Sequence, residues 1–285
     1  MPSTRSRARK GLTLVAVVAI LLAIGGYLAY RHVRTGLSGC EADGSSDPIA
    51  LNPQQAAIAA TIAGVAHARQ LPAGAVTIAY ATAMQESHMQ NLSSGDLDSV
   101  GVFQQRPSEG WGTPSQLIDP VYATGKFFEA LVKVPDYLRI PVDQAAQDVQ
   151  HSADGSAYLN YAPEAARMSG AFTGRAPHAV WCWYASGSTQ GSPASPEITL
   201  MRQQLVRTFG RLAVRQPAAA SSVTVADVVV RRHTAGWAVA SWLVTHATAY
   251  GISNVLYSGY QWSEAAGGKG WTRDPTAPSG SVELR

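Results

Sequence analysis

Residues 84–111 read MQESHMQNLSSGDLDSVGVFQQRPSEGW: an apolar helix end running into a polar, glycine-bearing loop. Immediately upstream, Val76, Ile78, Ala79, Ala83 and Met84 give Ala73–Gln85 the apolar density of a packed helix. Glu86 falls where that helix ends, so its carboxyl is expected to lie partly buried beside core side chains. Burial disfavours the charged form, and negative charge near a helix C-terminus opposes the dipole. Both effects raise a carboxyl pKa, as a general acid requires. Asp96 and Asp98 follow on a glycine-containing loop, so further carboxylates could face Glu86. The plain alternative is a solvated helix end with no chemistry.

Outward from this stretch the pattern is helical. Asn52 and Pro53 open a helix as N-cap and first residue, apolar from Ala56 to Ala66, and Leu71-Pro72 breaks it. Further helices are expected near Val121–Val132, Val142–Ser152 and Ala162–Phe172. Residues 185–196 read ASGSTQGSPASP, the composition of a flexible linker. Beyond it, helices over Glu197–Phe209 and Gly236–Tyr250 alternate with strands over Val223–Val230 and Ile252–Tyr257, an α/β module.

The N-terminal end has a different character. Gly11–Tyr30, GLTLVAVVAILLAIGGYLAY, carries no charge. At a rise of about 1.5 Å per residue it spans a hydrocarbon core of about 30 Å. Arg5, Arg7, Arg9 and Lys10 precede it and only Arg31 and Arg34 follow, which orients the N-terminus toward the cytoplasm. Two other readings stand beside a retained anchor: a signal peptide cleaved near Ala23-Ile24-Gly25, and a lipoprotein modified at Cys40 in Leu37-Ser38-Gly39-Cys40. All three carry the rest of the chain across a membrane. Cys40 and Cys182 would then meet an oxidising environment, and their positions bracketing the first domain predict a disulfide, in competition with a lipid on Cys40.

Glu86-Ser87-His88, a polar loop, and then Gly101-Val102-Phe103-Gln104 resemble the lysozyme-like domain of lytic transglycosylases and goose-type lysozymes. Those families end a helix in Glu-Ser and continue with a Gly-Leu-Met-Gln type segment. Asp119-Pro120 leading into Tyr122–Leu131 is similar to their next element. Gln147–Ser152 or Tyr158–Tyr161 stands near the place of their Tyr-Asn-Ala-Gly segment. The stretch from Gln54 to Cys182, with QES, GDLDSVGVFQQRPSEGWGT, DPVYA and QAAQDVQHS, also resembles a group of anchored or secreted actinobacterial cell-wall proteins.

Taken with the readings above, the resemblance gives an α-rich lysozyme-like domain over 52–184, with a small α/β module over 197–285 after it and one transmembrane helix before it. The remaining parts are a cytoplasmic basic tail over 1–10, the anchor over 11–30, a stalk over 31–51 and the linker over 185–196. It implies that Glu86 protonates a glycosidic oxygen of peptidoglycan, with the substrate's N-acetyl group assisting. Gln104 would bond the sugar, with His88, Asp96, Asp98 and Trp111 shaping the site. The expected setting is the cell membrane, with the bulk of the chain outside the cytoplasm.

Composition narrows the rest. Hydrophobic residues at 46% against charged residues at 14% exclude a disordered chain. The net charge of +3 resides in the N-terminal cluster, so no basic surface calls for nucleic acid. Two cysteines do not make a zinc site, and His67, His151 and His178 show no ligand spacing. Trp181 and Trp183 read as packing residues. The C-terminal module, GWAVASWLVTHATAYGISNVLYSGYQW, resembles a domain appended to actinobacterial cell-wall proteins. Its tail after Trp271 holds no histidine, and His233 with His246 is too little for a metal site, so a binding or spacing role is expected. No cofactor is expected. Two further functions remain open: a non-catalytic wall-binding or scaffold protein, and an accessory subunit of a membrane transport or secretion complex.

Overall fold

Asn52 accepts from the Gln55 backbone N–H while the Gln55 side chain bonds back to the Asn52 N–H, and Pro53 supplies the first helical residue. This capping box starts α1, Pro53–Ala68. Pro72 precedes α2, Ala73–Ser87, which ends on two successive left-handed residues, His88 and Met89. Alanine-rich on every side, the two helices are buried nearly all round and occupy the centre of the molecule. They pack with α4, Pro120–Leu131, α5, Val142–Gln150, and α6, Ala162–Phe172; α3, Pro114–Leu117, is a single turn. Three-residue-turn helices η1, Pro107–Glu109, and η2, Gly155–Tyr161, complete this part. A computed structural model gives these elements. It describes residues 38–42, 47–151, 155–185, 197–215 and 226–285, with Ile20, Leu22, Gly25 and Gly26 as isolated helical positions.

The expectation of an α-rich lysozyme-like domain is corrected by two β-sheets. β1, Gly39–Ala42, lies between β2, Ile49–Leu51, and β3, Val180–Trp183, in an antiparallel sheet. Residues read as a solvated stalk therefore include a central strand buried along its whole length. At three or four residues apiece, these strands are too short to show a period of two, and β1 pairs with β3 across a separation of 142 residues at Cys40 and Cys182. Local pattern cannot reveal such a pairing. Opposite each other in the register, Cys40 and Cys182 form a disulfide.

The single transmembrane helix is corrected likewise: among the described residues no helix is long and apolar enough to cross a membrane. Apart from the four isolated positions, Gly11–Tyr30 lies outside the described residues, as do the 1–10 tail, 31–37 of the stalk and 186–196 of the linker.

The C-terminal part is a six-stranded antiparallel sheet. Its order is β4 (Ala213–Arg215), β5 (Ala226–Val229), β9 (Ser281–Leu284), β6 (Asn254–Tyr257), β7 (Tyr260–Ser263) and β8 (Thr272–Arg273). Helices α7, Ile198–Phe209, and α8, His233–Thr245, accompany it, followed by the turn α9, Ala247–Tyr250. Both α7 and α8 pack against α1, and one hydrophobic core runs through the two parts. A Cβ on Gly64 of α1 would approach Thr208 to 2.5 Å, so glycine permits that close crossing. Trp262 and Trp271 donate their indole N–H groups to Cys182 O (2.9 Å) and Val180 O (2.7 Å), which ties the C-terminal part to β3.

Candidate functional site

Glu86 occupies the last turn of α2 and is half-buried. The buried Tyr158 of η2 donates its hydroxyl to Glu86 Oε1 at 2.5 Å. The next residue, Ser87, is buried and donates to Val102 O at 2.7 Å, which fixes the 101–104 segment against the helix end. From α5, Gln150 Nε2 donates to Phe103 O at 2.7 Å. Three side chains from three elements thus gather the Glu-Ser pair and the Gly-Val-Phe-Gln segment into one place.

The loop between them is built by backbone pairing. Bridges Leu92↔Gly101 and Val100↔Gln105 close it, with Gly101 N–H donating to Leu92 O at 2.7 Å. Gly101 has φ +79°, and a Cβ there would lie 2.3 Å from Leu117 O, so no other residue fits. The Phe103 ring is buried and stacks on Phe127 with centroids 4.6 Å apart, anchoring the segment in the core.

The expected site residues divide by environment. Gln104 is half-buried with φ +46°, its Nε2 donating to Gly101 O at 3.0 Å and its Oε1 lying against Gly95. Asp98 is committed elsewhere: it accepts from Ser108 N–H (2.8 Å), Arg106 Nε (2.9 Å) and Ser108 Oγ (3.0 Å). The Ser108 backbone N–H first, and then Arg106, hold its carboxyl down at about 2. Asp96 is exposed, and its carbonyl serves the loop by accepting from Ser99 N–H and Oγ.

His88 is exposed, and its carbonyl accepts from Gln55 Nε2 at 2.9 Å. It borders a cavity of about 110 Å³ that Glu86 does not line. Trp111 is half-buried and lines a wider hollow of about 450 Å³ with Lys133, Asp148 and His151, where Glu86 is again absent.

Ser87 therefore seats the end of α2 against the 101–104 backbone, while His88 and Trp111 border two other hollows. Tyr158 and Gln150, which hold the site, lie in the two segments singled out by resemblance. The Arg106–Asp98 clamp was not foreseen, and its eight-residue spacing on an irregular loop carries no periodic signal. Among the described residues no group of three or more His, Cys, Asp or Glu side chains is placed to hold a metal ion. No family model matches the chain, and no curated protein matches it.

Proposed function

We propose that the chain works outside the cytoplasm on peptidoglycan glycan strands, with Glu86 as the general acid of glycan cleavage. The observation that carries this reading is the Tyr158–Glu86 hydrogen bond, 2.5 Å long, beside the 101–104 segment held by Ser87 and Gln150. A buried phenol fixes the rotamer of the carboxyl and leaves its other oxygen for a glycosidic oxygen. Asp98 is occupied by Arg106 and Ser108, so the cleavage that fits uses the substrate's own N-acetyl group rather than a second carboxylate. The Cys40–Cys182 disulfide supports an oxidising compartment.

The test is digestion of purified sacculi by the wild type and by Glu86→Gln. The variant keeps size and most hydrogen bonding but supplies no proton, and its turnover is expected to fall by at least about 100-fold. Wild-type protein that neither cleaves nor binds sacculi would end the proposal. Binding without turnover would move the protein to the second reading, a wall-binding module. That reading is favoured by one observation: Glu86 lines neither hollow described above.

A further inference from the structure

The cavity beside the end of α2 has an unusual lining. Met84, Met89 and Met168 border it together with His88, Gln55 and Glu164. The chain holds five methionines in all, so three of the five meet at one space. Methionine in a core ordinarily fills irregular gaps with its flexible thioether. Here the three side chains are buried, yet about 110 Å³ between their neighbours stays open.

The backbone is bent to the same place. His88 and Met89 adopt φ +51° and +57°, two left-handed non-glycine residues in succession. Each such residue costs on the order of 1 kcal/mol and persists only where the surroundings demand it. A continuing helix would set the two side chains about 100° apart. The left-handed pair brings both to one cavity. Met89 N–H closes the turn on Ala83 O at 2.8 Å, and Gln55 Nε2 holds the His88 carbonyl. The His88 ring has no hydrogen-bond partner among the described residues, so its nitrogens are not committed to the fold. Glu164 stands one turn before Met168 on α6 and adds a carboxylate to the same lining.

We infer that this cavity is a site for a soft monovalent metal ion, Cu(I) or its redox-inert analogue Ag(I), held by the thioethers of Met84, Met89 and Met168 with His88 at the mouth. Thioether sulfur selects Cu(I) over hard cations, which take carboxylate and carbonyl oxygen, and imidazole completes a mixed sulfur–nitrogen set. One carboxylate and one amide are too few for calcium or magnesium. Zinc sites use thiolate, imidazole and carboxylate rather than thioether. Glu164 offsets the charge of the bound ion. Glu86 does not line the cavity, so the site stands independently of the glycan reading.

The experiment uses the full chain with its disulfide intact and methionine methyl groups labelled with ¹³C, titrated with Ag(I) in chloride-free buffer. The methyl resonances of Met84, Met89 and Met168 should shift together and saturate at one equivalent, while that of Met201 stays in place. Substituting a ligating methionine by leucine keeps the packing, at under about 1.5 kcal/mol each. It should weaken binding by at least the roughly 10–100-fold that loss of an outer-sphere partner costs. The variant with all three replaced should bind no stoichiometric Ag(I) by calorimetry, whereas Met201→Leu should match the wild type. Shifts absent, or equal at Met201, would overturn the site, and the labelled wild-type protein decides this even if a variant fails to fold.

Discussion

At Glu86 the decisive neighbour is a phenol. Tyr158 is buried, so Tyr158→Phe keeps the ring in the core and removes only the hydroxyl that meets Glu86 Oε1. Loss of a hydrogen bond of this kind costs about 1 kcal/mol, readable as a lower urea midpoint with an unchanged slope. If Glu86 acts on glycan, the same variant should lower sacculus turnover while leaving binding intact. Equal turnover would detach Tyr158 from the chemistry. A second residue titrates by burial. His246 stacks on Trp242 at 4.1 Å, and burial pushes its imidazole down to about 4, against a smaller opposing effect of its hydrogen bond to Trp242 O. The folded value lies below the ordinary 6.5, so the unfolded chain binds the proton first. Its contribution is complete above about pH 6.5 and is lost as pH falls through about 4. Chemical denaturation across that window should show a steeper fall for the wild type than for His246→Phe, which keeps an aromatic stack without a titrating group. Parallel profiles would refute it.

Among the elements, the 92–110 loop depends on the clamp at Asp98. Its carboxyl is held at about 2, below the ordinary 3.8, by the Ser108 N–H and Arg106. A depressed folded value gives a contribution present above about pH 4 and lost as pH falls through about 2. Amide exchange of Ser108 should accelerate in that acid range in the wild type and at every pH in Asp98→Asn. Protection that does not change would mean that the clamp does not hold the loop. The helices that frame this loop were legible beforehand. Asn52-Pro53 and Leu71-Pro72 mark the limits of α1, and α2 was read to within two residues of its observed end. Glu86 was legible as the end of an apolar helix, whereas its pairing with the 101–104 segment stood out only by resemblance, since the residues alone fit a solvated helix end equally well. The strands were not. β1 to β3 are three or four residues long, and pairing across the chain gives no local period. In the C-terminal part, Ala226–Val229 and Asn254–Tyr257 fall inside the stretches Val223–Val230 and Ile252–Tyr257 that read as strands. β7 and β9 carry polar residues at alternate positions, β8 is only Thr272–Arg273, and none left a comparable run.

Over the whole molecule, the two stretches that composition divides at residues 185–196 share their interior. Helix α1 packs on α7 and α8, and the indoles of Trp262 and Trp271 donate to carbonyls of β3. Separating the parts would expose apolar surface of α1 to water and break the two indole hydrogen bonds to β3, so neither part is expected to unfold alone. The disulfide adds to this coupling. Cys40 and Cys182 are 142 residues apart in sequence and directly opposed in the sheet. Closing a loop of that length restricts the unfolded chain by up to about 5 kcal/mol in the chain-entropy account. Two measurements follow. Urea unfolding of the oxidised protein should give superimposable transitions by tryptophan fluorescence, weighted toward buried Trp237, Trp242 and Trp262, and by far-ultraviolet circular dichroism, weighted toward all the helices. Two separated transitions would show that the C-terminal sheet unfolds independently. Replacing both cysteines by serine should move the common midpoint down, with the two probes still coincident, because the loss acts on the unfolded chain as a whole. A variant in which the fluorescence transition stays in place while the dichroism moves would place the effect of the disulfide in the N-terminal part alone.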